Sequence, residues 1–311
     1  MPWWPCALAP PRTEPHTMSE KERTIPTPDG RILRITEGGA RSGPVVFVLH
    51  GTPMNGSLYP AHVADAAKRG IRLVGYDRPG YGGSSADPGR TIADAAADVR
   101  AIADHLGAER FGVWGISGGG PHALACAARL VDRAVAVAAL ASPAPYPAPG
   151  IDWLAGAGEA NVTEFHAAME GPEALERLLA PMREAYFAPN VDPVLRDLES
   201  LLSPIDKSVF ASLGSYLIDA TRQGLRPGVA GWRDDDLAFV GPWGFSLEEI
   251  RSPLTLWQGK QDRFVPFAHG QWLRDHIPHA VQNLTEEDGH LTLYQNRIPS
   301  VHSWLMTYLH R

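Results

Sequence analysis

One serine, one aspartate and one histidine, far apart along the chain, each follow an apolar run that reads as a strand. Gly115-Ile116-Ser117-Gly118-Gly119 matches G-x-S-x-G, with the apolar run Phe111–Ile116 before it and a helical stretch, 121–130, after it. A serine on such a strand-to-helix turn sits in strained backbone, so its neighbours must be small. The helix that follows points unpaired N–H groups at the serine and favours negative charge there. The bare string is a weak signal; its place between strand and helix makes Ser117 a candidate nucleophile.

Asp262 lies in Gly259-Lys260-Gln261-Asp262-Arg263, directly after the run 254–258, and His290 lies in Asp288-Gly289-His290-Leu291. The order Ser117, Asp262, His290 is the one expected when the nucleophile sits on a strand–helix elbow. A serine hydroxyl needs a base to take its proton, and a carboxylate holds the imidazole in the required tautomer. Asp288 competes as the acid, but two residues from His290 it is poorly placed to reach Nδ1, and it is read as a loop stabiliser. Acyl transfer also needs two N–H donors at the developing oxyanion. Gly118 supplies one. His50-Gly51-Thr52-Pro53 closes the run Val45–Leu49, and because Pro53 has no N–H, Thr52 is the second.

Other suggestive features read as structural. Asp77-Arg78-Pro79-Gly80-Tyr81-Gly82-Gly83-Ser84 is a tight turn, and Cys126 is a small core residue. His269, His276 and His279 lack the spacing of a zinc site and are assigned to a polar helix face, so no metal is expected. The glycines around Ser117 lack the lysine of a phosphate loop, and no cofactor is implied.

The elements that must position these groups alternate. Buried strands are read at Val45–Leu49, 71–76, Phe111–Ile116, Ala134–Leu140, 254–258 and 281–284. Helices fall at 57–69, 91–106 (with Thr91 as N-cap and Gly107 as stop), 121–130, 266–277 and Ile298–Leu309. Strands spaced by helices give right-handed crossovers and an α/β fold: a mostly parallel central sheet flanked by helices. Between 143 and 236 the strand signal stops and only helical stretches follow a Pro-rich link, so the expectation is a helical cap inserted into a core of residues 25–142 and 237–311. Residues 1–24 are read as a disordered tail, of which 1–17 look like a dispensable extension ahead of Met18.

Composition narrows the classes. The 311 residues carry a net charge of −7, which argues against a nucleic-acid partner. No apolar stretch could run as one helix through lipid, so no membrane partner is expected either. Two cysteines exclude a disulfide scaffold and make a reducing, cytoplasmic compartment the economical reading. Residues 151–200 hold ten acidic and three basic residues. That acidic cap could draw in a cationic substrate, though a solvated helix face explains it as well.

Taken together, His50-Gly51-Thr52-Pro53, the 77–84 turn, Gly115-x-Ser117-x-Gly119, Asp262 and Gly289-His290 resemble the α/β-hydrolase superfamily. The resemblance covers about residues 25–142 and 237–311, with the insertion where members carry a cap. It implies Ser117 as nucleophile, His290 as general base, Asp262 as orienting acid, and Thr52 with Gly118 as oxyanion-hole donors. Some members place the acid after the sixth strand, but 140–147 contains no carboxylate. Haloalkane dehalogenases and epoxide hydrolases carry Asp at the elbow, where this chain has Ser117. Proline iminopeptidases usually show Trp before the elbow's last glycine, where this chain has Gly118.

The function implied is a cofactor-free serine hydrolase acting on a small-molecule ester or lactone. Two alternatives stay open: an amidase or aminopeptidase that uses an acidic cap, and a receptor that keeps the fold with negligible turnover. Association into a homo-oligomer is likewise open.

Overall fold

In the computed structural model, which describes residues 21–310, the apolar runs become the middle of one eight-stranded sheet. In chain order the strands are Lys21–Pro26 (β1), Ile32–Gly39 (β2), Val45–Leu49 (β3), Arg72–Tyr76 (β4), Phe111–Ile116 (β5), Ala134–Leu140 (β6), Leu254–Gly259 (β7) and Val281–Thr285 (β8). Across the sheet they run β1-β2-β4-β3-β5-β6-β7-β8. β2 pairs antiparallel with both β1 and β4, and every pair from β4 to β8 is parallel. All residues of β3 and β5 are buried, as continuous apolar runs covered on both faces must be. Alternate residues feed opposite layers: Val45, Phe47 and Leu49 join one apolar cluster, Val46 and Val48 the other.

Helices cover the faces. Pro60–Lys68 (α1), Ala95–Leu106 (α2) and Gly119–Arg129 (α3) precede the insertion. Glu159–Glu170 (α4), Pro172–Phe187 (α5), Asp192–Leu201 (α6), Pro204–Gly224 (α7) and Ala230–Val240 (α8) lie between β6 and β7. Phe267–His276 (α9), His290–Asn296 (α10) and Ile298–Leu309 (α11) complete the chain. No helix among the described residues is long and apolar enough to cross a membrane.

Several boundaries depart from the expectation. Residues 21–24, assigned to the tail, are the start of β1. In that edge strand only Ile25 is buried, so its polar residues gave no hydrophobic signal, while Arg23 pairs with Glu37 across the register. The extension expected at 1–17 lies outside the described residues. α1 begins at Pro60 rather than at 57, with proline at a position where its missing N–H costs nothing. Thr91 caps a single 3-10 turn, Ile92–Asp94, ahead of α2, and Gly107 ends α2 at φ 65° as expected. The cap boundary set at 236/237 falls inside α8, whose Ala238 and Phe239 pack into the core.

Candidate active site

Ser117 stands between the end of β5 and the start of α3 with φ 55°, a left-handed conformation that non-glycine residues rarely hold. The glycines on either side make that turn feasible. A Cβ at Gly115 would lie 2.1 Å from the carbonyl oxygen of Gly119, and one at Gly119 would lie 2.0 Å from that of Leu49. The N–H of Ser117 donates to Leu140 O (2.9 Å) and its own carbonyl accepts from Gly120 (2.8 Å), which fixes the elbow against β6.

His290 opens α10, a short helix that periodicity missed because only seven residues form it. Its Nδ1 lies 2.8 Å from Asp262 Oδ2. The other carboxylate oxygen of Asp262 accepts from the N–H groups of Phe264 (2.8 Å) and Val265 (2.9 Å), and Gln258 Nε2 donates to Oδ2 at 3.1 Å. The acid is thereby held from both sides, and the imidazole must donate from Nδ1, leaving Nε2 free as a base. Phe264 stacks on the imidazole, with centroids 4.5 Å apart. Asp288, the competing acid, accepts instead from Thr285 Oγ1 and Arg297 Nε, both at 2.8 Å, as a loop stabiliser should.

Ser117, His290, Thr52 and Gly118 line one cavity of about 190 Å³, with Asp262 behind His290. No hydrogen bond joins Ser117 to His290 among the described residues; such contacts often tighten only when substrate binds. The main-chain N–H groups of Thr52 and Gly118 likewise donate to no protein acceptor among the described residues, so both are available to an anion.

The turns that carry these donors rest on groups that no sequence motif exposed. His50 Nδ1 donates to Gly51 O (3.0 Å) while its Nε2 accepts from Arg78 N (3.2 Å). His122 Nδ1 donates to Gly118 O (2.7 Å) and so fixes the peptide plane at the elbow. Both imidazoles stay neutral: burial, then the nearby Arg78 charge, pull His50 well below its usual range and His122 down to about 3. Beneath them lies Asp235, fully buried, which accepts from Thr52 Oγ1 (2.7 Å), Tyr81 OH (2.9 Å), Arg78 Nη2 (2.6 Å) and Arg90 Nη2 (2.8 Å). Burial opposes its charge, but Arg78 and Arg90 overcome this and hold the carboxyl well below the usual range. In the sequence it sits within Asp234-Asp235-Asp236, which looks like a solvated charge run.

Asp206 is a second such residue. It projects from α7 in the insertion and accepts from the N–H groups of His290 (3.1 Å), Leu291 (2.8 Å) and Thr292 (3.1 Å), the otherwise unpaired amides of the first turn of α10. The close approach requires Gly289, where a Cβ would lie 2.3 Å from Asp206 Oδ2. Burial lowers the pKa of His290, but the charge and hydrogen bond of Asp262, with the charge of Asp206 added, raise it overall above 6.5. A base must be neutral to accept a proton. Turnover that uses His290 should therefore rise with pH with a midpoint above 6.5, and Asp206→Asn should move that midpoint down by removing a negative charge. A kcat/KM profile that is flat from pH 5 to 9, or one unmoved by the substitution, would contradict this arrangement.

One expectation needs correction. His269 is not on a polar face: it is buried beside the cavity, with Nδ1 accepting from Ala144 N (3.0 Å) and Nε2 facing Trp153 O (2.8 Å). Its position in the first turn of α9, against Trp153, makes it part of the packing between core and insertion. Trp153, Phe165, Tyr186, Phe210 and Trp232 of the insertion line the cavity, while Met169 and Phe187 are exposed. Cys126 is a free, buried core residue, and the 77–84 turn is structural, with Asp77 accepting from Gly56 N (2.8 Å) and Gly83 N (2.9 Å).

The order of the sheet, the serine elbow and the insertion after β6 define an α/β hydrolase fold with a site at the C-terminal ends of the parallel strands. The family described as alpha/beta hydrolase fold matches residues 44–296, and the chain belongs to that family. It is 27% identical over 260 residues to the AB hydrolase superfamily protein YisY of Bacillus subtilis, covering 82% of this chain and 87% of that protein. It is 26% identical over 257 residues to epoxide hydrolase B of Mycobacterium tuberculosis, covering 80% and 67%. Among solved structures, a thermophilic esterase from Thermogutta terrifontis superposes with a TM-score of 0.66 at 20% identity, covering 93% of this chain and 99% of the esterase. That likeness shows the fold alone.

Proposed function

We propose that the protein hydrolyses small carboxylic esters or lactones through an acyl-enzyme on Ser117. The observation that carries this reading is the pairing of His290 with a doubly anchored Asp262, on the wall of the same cavity as a strained Ser117. His290 Nε2 takes the hydroxyl proton as Ser117 Oγ bonds to the carbonyl carbon. The oxyanion is held by the N–H groups of Thr52 and Gly118, each such donor contributing roughly 3 kcal/mol to lowering the barrier. The bond to the leaving alcohol then breaks, and the alcohol departs with that proton. Water, deprotonated by His290, releases the acid and restores Ser117.

These steps call on no cofactor or metal. A cavity of about 190 Å³ suits a small acyl chain better than a long one, since pockets for drug-sized ligands span about 300–1,000 Å³. A serine at the elbow sets the chemistry apart from that of enzymes with an aspartate nucleophile, including the epoxide hydrolase class to which one relative's name points. Steady-state hydrolysis of p-nitrophenyl acetate, butyrate and octanoate tests the reading: turnover with the shorter esters preferred supports it, and no turnover of any ester or lactone leaves a receptor. An amine-bearing substrate is the variant of this reading that two carboxyls on the cavity wall, Glu164 and Asp236, favour.

A further inference from the structure

The wall of the cavity is mostly apolar, but on the side formed by α4 and α8 two carboxyl groups lie against each other. Glu164 comes from α4 and Asp236 from α8, and both line the cavity. Asp236 is 1% exposed, and the carboxyl of Glu164 is the hydrogen-bonding partner that its own carboxyl faces. Glu164 accepts from Trp232 Nε1 at 2.8 Å and otherwise faces Asp236. Trp232, Asp236 and Phe239 share one face of α8 at i, i+4 and i+7. Phe239 reaches the elbow, since a Cβ at Gly118 would lie 2.9 Å from its ring. The carboxyl pair thus belongs to the same chamber as Ser117, about two helical turns of α8 from Trp232 to Phe239 spanning its wall.

Burying two adjacent carboxyls without a cation is costly, and a buried acceptor left without a donor is costlier than a paired one. Desolvation first, then the neighbouring Glu164 charge, push Asp236 well above the usual carboxylate range, and burial raises Glu164 as well. Raised carboxyls in contact favour a proton held between them. The charged groups nearby do not relieve it. Arg90 acts on Asp236 only at a distance, and its charge is engaged by Asp235 at 2.8 Å. Tyr186, on the Glu164 side, is itself kept neutral by burial. Among the described residues no basic side chain forms an ion pair with either carboxyl.

We propose that Glu164 and Asp236 form a subsite for a positively charged amine, so that the preferred substrates are esters or amides carrying an ammonium group on the portion that enters the chamber. This rests on the hydrolytic reading for its consequence but not for its test. The amine replaces the proton held between the two carboxyls, and its N–H groups donate to both. The net acidity of the insertion counts for little here, because residues such as Glu170 and Glu173 are exposed and solvated.

Equilibrium binding to the whole protein tests the subsite without requiring turnover. By titration calorimetry at pH 7, n-hexylammonium should bind at least about tenfold more tightly than n-hexanol. Titrations in buffers of different ionisation enthalpy should show release of close to one proton. Glu164→Gln and Asp236→Asn should each reduce the preference to about threefold or less and abolish the proton release. Should Asp236→Asn fail to fold, Glu164→Gln and the proton count in the unaltered protein still decide the matter. Equal affinity for the amine and the alcohol, binding without proton release, or a preference that survives Glu164→Gln would overturn the proposal. Ester turnover with no amine preference would reject the subsite alone; amine binding without any turnover would reject the hydrolytic reading alone.

Discussion

Ser117→Ala should lower kcat for a p-nitrophenyl ester by roughly 10⁴-fold or more while leaving the protein folded. The hydroxyl is the atom to which the acyl group bonds, and its removal leaves only the oxyanion donors and the cavity to act on substrate. Alanine can occupy the strained turn at a cost little different from serine, because the φ of 55° is imposed by Gly115 and Gly119 packing against neighbouring backbone rather than by the side chain. The far-ultraviolet circular dichroism and the melting temperature should be close to those of the unaltered protein. Loss of activity with a normal melt is the expected pair of results; retention of more than a tenth of kcat would remove Ser117 from the mechanism.

The second large effect is on stability. Asp235→Ala leaves the guanidinium groups of Arg78 and Arg90, 1% and 3% exposed in their side chains, without their shared anion. Breaking a buried pair by deleting one partner costs about 3–5 kcal/mol, because the remaining charge is neither solvated nor paired. For a chain of this size that corresponds to a fall in melting temperature of about 5–8 °C. The same substitution removes the acceptor of Thr52 Oγ1, so the residual folded protein should also lose activity through the oxyanion turn. Differential scanning calorimetry decides: a shift of less than about 2 °C would mean that the two arginines find other partners and that Asp235 is not the anchor of this network.

The main lines of the fold were readable because its central strands are buried on both faces. Val45–Leu49, Phe111–Ile116 and Ala134–Leu140 are continuous apolar runs with the strand boundaries the residues suggest. The edge was not readable in the same way, since β1 pairs through main-chain hydrogen bonds while its side chains meet water. The candidate triad was legible from three short motifs, each following a parallel strand. What supports it was hidden. Asp206 reaches α10 across 84 positions, and Asp235 reaches Arg78 across 157, so only folding shows that these acids are buried. Asp236 and Asp235 are neighbours in sequence with opposite fates: two arginines hold one carboxyl well below the usual range, and burial beside Glu164 pushes the other well above it. Composition cannot distinguish them.

The measurement that bears most directly on the hydrolytic account is covalent labelling by a fluorophosphonate, with the adduct located by peptide mass spectrometry. The fluorophosphonate should modify Ser117 in a time-dependent reaction that leaves one phosphonyl group per chain, slows sharply in His290→Ala and is competed by a short-chain ester. A chain that hydrolyses esters yet carries the label elsewhere, or takes none at Ser117, would contradict it.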